Sequence, residues 1–485
     1  MMNIDPELKN LDALFPADFT EDQKAQGKTL FLKNLALESH RFYGGKMQTI
    51  PKCGIYGLNW FNVWYTPGVS KISTVIRDNN DASFALSNRG NLVAVVSDST
   101  RVLGDGDCTA PGGLGVMEGK AMLMKYLGGV DAVALCVDSR DEQGKHDPEK
   151  LISFVKMAQY SFGAVNLEDI SQPNCFKVLD DLREACDIPV WHDDAQGTAC
   201  ITLAGLLNAL KLAGKRIGDA KIALLGAGAA NTTIARLIIA DGGDPAKLIM
   251  FDSKGSLHLG RDDVRQDKRN YRKWELCEKT NPGRAASEAE AIKGADVLIA
   301  LSKPGPNTIK REWVRSMSEK AIVFACANPT PEIWPHAAKE EGAYIVATGR
   351  GDFPNQVNNS VCFPGILKGA LAVRARKITD GMAIRCAHSI ADFSEKRGIS
   401  PDNIIATMEE TDLFAREAAD VAQQAIQEGV ARVNLSWEQV YHQTKADITA
   451  VRTLVEDMKR LGCVKEPPAE VLEKALTEAI AAVRK

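Results

Sequence analysis

The sequence predicts an α/β fold with mostly parallel sheets, closed by a helical tail. Three observations carry that reading. Short apolar, β-branched runs alternate with helical stretches from about residue 92 to residue 347. One of those runs, Lys221 to Leu225, opens directly on Gly226-Ala227-Gly228 and then an apolar helix. From about Thr379 the strand signal stops, and helix-forming composition continues to Lys485 with breaks at Gly398, Pro401 and Pro467-Pro468.

The 485 residues suggest about three domains of ordinary size. A net charge of −4 and the absence of any Lys/Arg block interleaved with aromatics leave no basic field, so nucleic acid and anionic membrane are not expected partners. Eleven cysteines without a C-x-x-C pair read as free thiols in a reducing compartment, and a cytoplasmic location is expected. Met1 to Phe15 lacks the basic and apolar regions of a leader, and no run is long enough to span a membrane.

Taken in order, Glu7 to Tyr43 has apolar residues at helical spacing interrupted by Pro16 and Gly27, which predicts short helices. Thr66-Pro67-Gly68 is a turn that leaves Tyr65 at a loop mouth. Phe84 to Ser87 and Leu92 to Ser97 read as paired strands around Asn88-Arg89-Gly90. Arg101 to Gly119 is a glycine-rich loop that must bring its backbone close to something. It feeds a helix expected to begin near Met117, which would put Lys120 in the first turn, where the dipole disfavours an ammonium.

Val130 to Val137 is a buried strand, Leu151 to Tyr160 a helix, and the next strand ends at Glu168-Asp169. Ile188 to Trp191 is another apolar run, ending at His192-Asp193-Asp194. Two pairs of acids at strand ends repel each other unless a cation neutralises them. Oxygen-only ligands suit a hard divalent ion, Mg²⁺ or Mn²⁺, better than zinc.

Ala199 to Ala213 is a small-residue helix leading to the second half. There Gly226, Gly228, Ala229, Ala230 and Asn231 form a G-x-G-x-x-N variant of the strand, glycine turn and helix that receives a pyrophosphate at the helix N-terminus. The next strand, Leu248 to Phe251, ends at Asp252, where an acid would take ribose hydroxyls. That favours NAD, with NADP open because Lys254 and Arg261 are near in sequence. Arg261 to Lys273 reads as a solvated charged face. Ala295 to Leu301, Ala321 to Ala325 and Tyr344 to Ala347 complete a doubly wound sheet, and Asn328 at one strand end becomes a nicotinamide or substrate contact.

Together Y-T-P-G-V (Tyr65 to Val69), V-M-E-G-K-A (Val116 to Ala121), N-L-E-D-I (Asn166 to Ile170), H-D-D-A-Q-G-T (His192 to Thr198), G-A-G-A-A-N, C-A-N-P-T-P-E (Cys326 to Glu332) and N-Q-V-N-N-S-V-C-F-P-G resemble the malic enzymes, especially the shorter bacterial form. The ordered set runs from about Tyr65 to Leu371. The resemblance implies oxidative decarboxylation of (S)-malate to pyruvate and CO₂ with NAD(P). It assigns Glu168, Asp169 and Asp194 to the metal, Lys120 to the base with Asp193 beside it, and Tyr65 to the acid that protonates the enolpyruvate carbon. Arg101 matches a substrate-carboxylate arginine, and Asn328 and Asn359 match substrate-contacting asparagines. It also implies a homodimer or higher homo-oligomer.

The expected division is residues 1–198 for substrate and metal, 199–372 for a Rossmann-type nucleotide domain, and 373–485 as a helical region packing back on the first. Asp105, Cys108, Thr109 and Ala195 depart from the family pattern near the substrate pocket, which bears on the choice of hydroxy acid. An oxaloacetate decarboxylase or a tartrate-type dehydrogenase would keep this fold with altered chemistry. A nucleotide-sensing protein would keep the fold without turnover.

Overall fold

The structure is a computed structural model and describes residues 4–485 apart from 6, 103–104 and 285–286. The chain forms two compact units, Met1–Lys52 with Ala450–Lys485, and Cys53–Thr449. In the smaller unit, Glu21–Tyr43 is one continuous helix, started by a capping box between Thr20 and Gln23 and stopped by Gly44 at φ +71°. Gly27 does not interrupt it. A Cβ there would lie 2.7 Å from the Phe15 ring, so the glycine makes room for Phe15 in a core with Phe19, Phe31, Ala475, Leu476 and Ala479.

The larger unit holds two sheets. The first consists of β1 (Leu92–Ser97), β2 (Asp131–Cys136), β3 (Ala164–Leu167) and β4 (Val190–His192), all parallel, in the order β2-β1-β3-β4. The second holds β5 (Ile222–Leu225), β6 (Leu248–Asp252), the short antiparallel β7 (Gly255–Ser256), β8 (Val297–Ala300), β9 (Ile322–Ala325) and β10 (Ile345–Thr348). Its order is β10-β9-β8-β5-β6-β7, the doubly wound arrangement of a dinucleotide fold. Each sheet has a point where the strand order reverses, at β1/β3 and at β5/β8, and loops beyond the carboxyl ends there form crevices.

The strand expected at Phe84 to Ser87 is absent. Ser83–Leu86 is a single helical turn followed by a 3₁₀ turn, Asn88–Asn91. Gly90 sits so close to the Phe84 carbonyl that a Cβ would fall 2.1 Å from its oxygen. Arg89 draws the turn together by donating to Ser83 Oγ and the Phe162 carbonyl while lying over the Phe84 ring. The β-branched run that suggested paired strands serves β1 alone, whose partners are the parallel β2 and β3.

Helices cover both sheets: α1 (Leu114–Gly128), α2 (Pro148–Ala158), α3 (Asn174–Ala185), α4 (Thr198–Ala213), α5 (Ala229–Ala240), α6 (Phe363–Ala372), α7 (Asp380–Arg397) and α8 (Asp412–Gln427). Along β1, Val93 and Val95 join the large core with α4 and α6, while Ala94 and Val96 face α2 and α3. Helix α4 connects the sheets and is buried on nearly every side, which explains its small residues. The C-terminal helices α7 and α8 pack on α4 and α6.

Candidate active site

Two strands of the first sheet end together, with Leu167 paired to His192, so Glu168 and Asp193 leave the sheet at the same level. Asp169 then adopts φ +53°, its N–H donates to Asp194 Oδ2 at 2.7 Å, and its carbonyl accepts the Arg101 N–H at 3.0 Å. After β4 the chain makes one π-helical turn, Asp193–Gly197, before α4. Such widened turns re-aim side chains and concentrate at functional sites. Gly197 is required by crowding: a Cβ would sit 2.0 Å from Asp193 Oδ1 and 3.3 Å from Asn359 Cβ.

Lys120 projects from α1 into these acids, with Nζ 2.5 Å from Asp193 Oδ2 and 3.1 Å from Glu168 Oε1. Its ammonium also lies 4.6 Å above the Phe363 ring. Because α1 begins at Leu114, Lys120 sits in the second turn, and the dipole argument drawn from its sequence position does not hold. Burial disfavours the charge, but Asp193, Glu168 and Asp194 outweigh that and hold the amine well above the usual lysine range. The acids shift upward as well. Burial and then Asp194 push the Glu168 carboxyl up, and burial pushes Asp193 up against the pull of Lys120.

Glu168, Asp169 and Asp194 present carboxylate oxygens that all lie within 4.8 Å of one another. Asn166 orients Glu168 by donating to Oε2 at 2.9 Å, and Trp191 Nε1 donates to Asp193 Oδ1 at 3.2 Å. Three hard-oxygen ligands crowded in a buried recess fit a divalent cation, which would remove the mutual repulsion seen in the raised Glu168. His192 is fully buried beside them, and neither ring nitrogen has a hydrogen-bond partner among the described residues.

The other expected residues are placed unequally. Asn359 adjoins Asp193 across Gly197, whereas Arg101 reaches the site by its backbone and its side chain is exposed. Asn328 is exposed at the end of β9, its amide facing Gly349. Tyr65 stands apart, 70% exposed, its hydroxyl without a partner among the described residues.

In the second sheet, Gly226 has φ +94°, and a Cβ on it would lie 2.5 Å from the Leu301 carbonyl oxygen, so only glycine fits between β5 and β8. Gly228 caps α5, and Ala229 and Ala230 form its first turn. Asn231 donates to the Leu225 and Gly226 carbonyls at 2.8 and 2.9 Å, fixing the glycine turn from behind. This half-buried backbone turn fits a dinucleotide pyrophosphate.

Asp252 does end β6, but Arg261 forks onto it at 2.9 and 3.0 Å and onto Asp263 at 2.8 and 3.0 Å. Arg261 and Arg272 are buried in ion pairs, whereas Asp262, Asp263, Arg265, Gln266, Lys268 and Arg269 between them are exposed, so the stretch is a solvated face only in part.

Sequence reasoning missed three contributors. Gln172, just past the metal-site acids, donates to the Ala227 carbonyl at 3.2 Å and ties the first sheet's loop to the glycine turn. Glu332 is buried and accepts from the Ser302 and Ala327 amides, clamping the loops after β8 and β9. Phe363 faces Lys120. Glu332 and Phe363 lie within the quoted motifs, but their roles depend on partners across a crevice, Ser302 and Lys120, that spacing does not show.

Comparison with known proteins gives the same assignment independently. The family models described as malic enzyme, N-terminal domain, and malic enzyme, NAD binding domain, match residues 58–183 and 195–426. A bifunctional malic/malolactic enzyme of Bacillus subtilis is 40% identical over 415 residues, covering 85% of this chain and 98% of that protein. An NAD-dependent malic enzyme of Geobacillus stearothermophilus is 41% identical over 390 residues, covering 80% of this chain and 78% of that protein. A crystal structure of Entamoeba histolytica malic enzyme superposes with a TM-score of 0.97 at 61% identity, covering 100% of both chains. With carboxylate recess, buried lysine and glycine turn in one unit and both family domains matched, the chain belongs to the malic enzyme family.

Proposed function

We propose that the recess bounded by Lys120, Asp193 and the Glu168–Asp169–Asp194 triad oxidises and decarboxylates (S)-malate to pyruvate and CO₂ with NAD or NADP. The observation that carries this is the direct contact of one buried lysine with acids adjoining a three-carboxylate metal recess. Mg²⁺ or Mn²⁺ held by that triad supplies Lewis-acid polarisation of the substrate oxygen at C2. Lys120, 2.5 Å from Asp193, is the group that takes the substrate hydroxyl proton as hydride passes to the nicotinamide, with Asp193 the acid beside it.

The exposed Arg101 guanidinium grips a substrate carboxylate in a planar fork. Asn328 and Asn359 orient C2 toward the nicotinamide side, while Gly226, Gly228, Ala229, Ala230 and the turn braced by Asn231 seat the pyrophosphate. Asp252 addresses the adenosine ribose through or in competition with Arg261.

In this reading Tyr65 protonates the enolpyruvate carbon at the site of a second copy, which its exposure supports. Ile55, Tyr56, Leu58, Trp60, Phe61, Val63 and Trp64 around it are exposed too, a patch of the kind that a homodimer buries. Residues 1–198, 199–372 and 373–485 then serve as substrate, nucleotide and helical parts. No helix among the described residues is long and apolar enough to cross a membrane.

Initial rates with malate, tartrate and oxaloacetate, each with NAD and NADP and with and without Mn²⁺, test the reading. Malate-dependent NAD(P)H formation that requires the metal is expected. Release of CO₂ from oxaloacetate with no reduction by malate would overturn it, and turnover that survives chelation would remove the triad's role.

A further inference from the structure

Behind the catalytic recess, three cysteines from separate elements meet in the core. Cys200 is in the first turn of α4, Cys362 immediately precedes α6, and Cys386 lies midway along α7. All three are fully buried, and their sulfurs lie within 4.8 Å of one another, with Cys362 Sγ 3.8 Å from Cys386 Sγ. Sulfurs bound at about 2.3 Å around a tetrahedral zinc ion stand about 3.8 Å apart. No other cysteine cluster occurs among the described residues.

A buried acid lies nearby, outside the 4.8 Å within which the three sulfurs meet. Glu417 of α8 is fully buried, and neither of its carboxyl oxygens has a hydrogen-bond partner among the described residues. Space for it is built into the sequence, because a Cβ on Gly365, three residues beyond Cys362, would lie 2.0 Å from Glu417 Oε2. An unpartnered buried carboxyl is costly and calls for a cation or a donor.

We propose that Cys200, Cys362 and Cys386 form a structural site for a thiophilic divalent ion of the zinc class, completed by Glu417 moving in from beside Gly365 and separate from the oxygen-ligand recess at Glu168, Asp169 and Asp194. Three thiolates and a carboxylate give the donor number and the charge of a four-thiolate structural zinc site. Binding breaks three S–H bonds and the carboxyl O–H bond, the four protons pass to solvent, and Cys200 gives up its present donation to the Ala383 carbonyl at 3.2 Å. The ion ties α4, α6, α7 and α8 together directly behind Phe363, which faces Lys120, and behind the π-helical turn that carries Asp193.

The test uses the full chain, produced with Zn²⁺ in the medium and dialysed against EDTA to remove loosely held ions. Elemental analysis is expected to find about one zinc per chain. Unfolding and refolding with Cd²⁺ in place of Zn²⁺ is expected to give the near-ultraviolet sulfur-to-metal charge-transfer band of a multi-thiolate site. Glu417→Gln and Cys386→Ser should each weaken retention of the ion by more than about a hundredfold.

Refolded chain without bound metal overturns the proposal, and so does bound Cd²⁺ without the thiolate band, which places the ion at the oxygen recess. If either variant fails to fold, the two measurements on the unaltered chain decide alone. A metal-free Glu417→Gln chain more stable than its parent, with no loss of zinc retention, removes Glu417 from the site.

Discussion

Lys120 concentrates the chemistry at the residue scale, since both of its ion-pair partners are acids of the first sheet and its ring partner is Phe363. Lys120→Met keeps the length of the side chain and removes its proton-carrying group. We expect kcat to fall by about 10²–10⁴, the range for loss of a general base. NAD affinity, read by fluorescence titration, should stay unchanged, because no contact of Lys120 touches the glycine turn; a parallel loss of NAD binding would show that the lysine holds the fold rather than the proton. The identity of this residue was legible in the sequence only through its motif. Its position was not, because the helix starts at Leu114 within a run of glycines that gave no N-cap signal, and because the π-helical turn at Asp193–Gly197 leaves no trace in spacing. What the sequence did carry was chemistry at strand ends: Glu168, Asp169, Asp193 and Asp194 all follow apolar runs, and parallel strands bring such ends together whatever the loop lengths between them.

Between elements, the end of β6 was read correctly as a strand and too simply as a site. Asp252 is shared with Arg261, which lies nine residues on and folds back to fork across two aspartates. A residue count cannot show that return. Asp252→Ser removes one carboxylate and leaves Arg261 a guanidinium half free where a 2′-phosphate would sit, so the ratio of kcat/KM for NADP over NAD should rise about tenfold or more, each tenfold being about 1.4 kcal/mol. An unchanged ratio would mean that the ribose lies elsewhere. A second contact joins α5 to α7: His388 Nε2 is 2.8 Å from Asp241 Oδ1, and that bond holds the imidazole above its ordinary value against the opposing effect of burial. A raised folded-state value means that the stabilisation is complete below the ordinary histidine pKa of about 6.5 and fades as pH rises through the raised one. Thermal melts should therefore place the parent above His388→Gln at about pH 6, with the gap closing through neutral and alkaline pH. A constant gap would indicate packing rather than charge.

For the whole molecule, the two sheets and the helices over them account for the recess and the glycine turn, but not for Tyr65. The sequence placed it at a loop mouth without saying whose site that mouth faces. Lys120 is 11% exposed and enclosed by its own chain, whereas Tyr65 is 70% exposed amid uncovered aromatics. A homodimer that exchanges this segment predicts a specific arithmetic. Tyr65→Phe and Lys120→Met homodimers are each inactive at both sites. Refolding them together in equal amounts makes half of the molecules heterodimers, and in each heterodimer one site combines the intact lysine of one copy with the intact tyrosine of the other. The mixture should then recover about a quarter of the parent activity, as subunit symmetry requires. If Tyr65 serves its own chain, every site in the mixture lacks one of the two groups and no activity returns, so a single kinetic measurement on the mixed sample separates an active site completed by association from one completed within the fold.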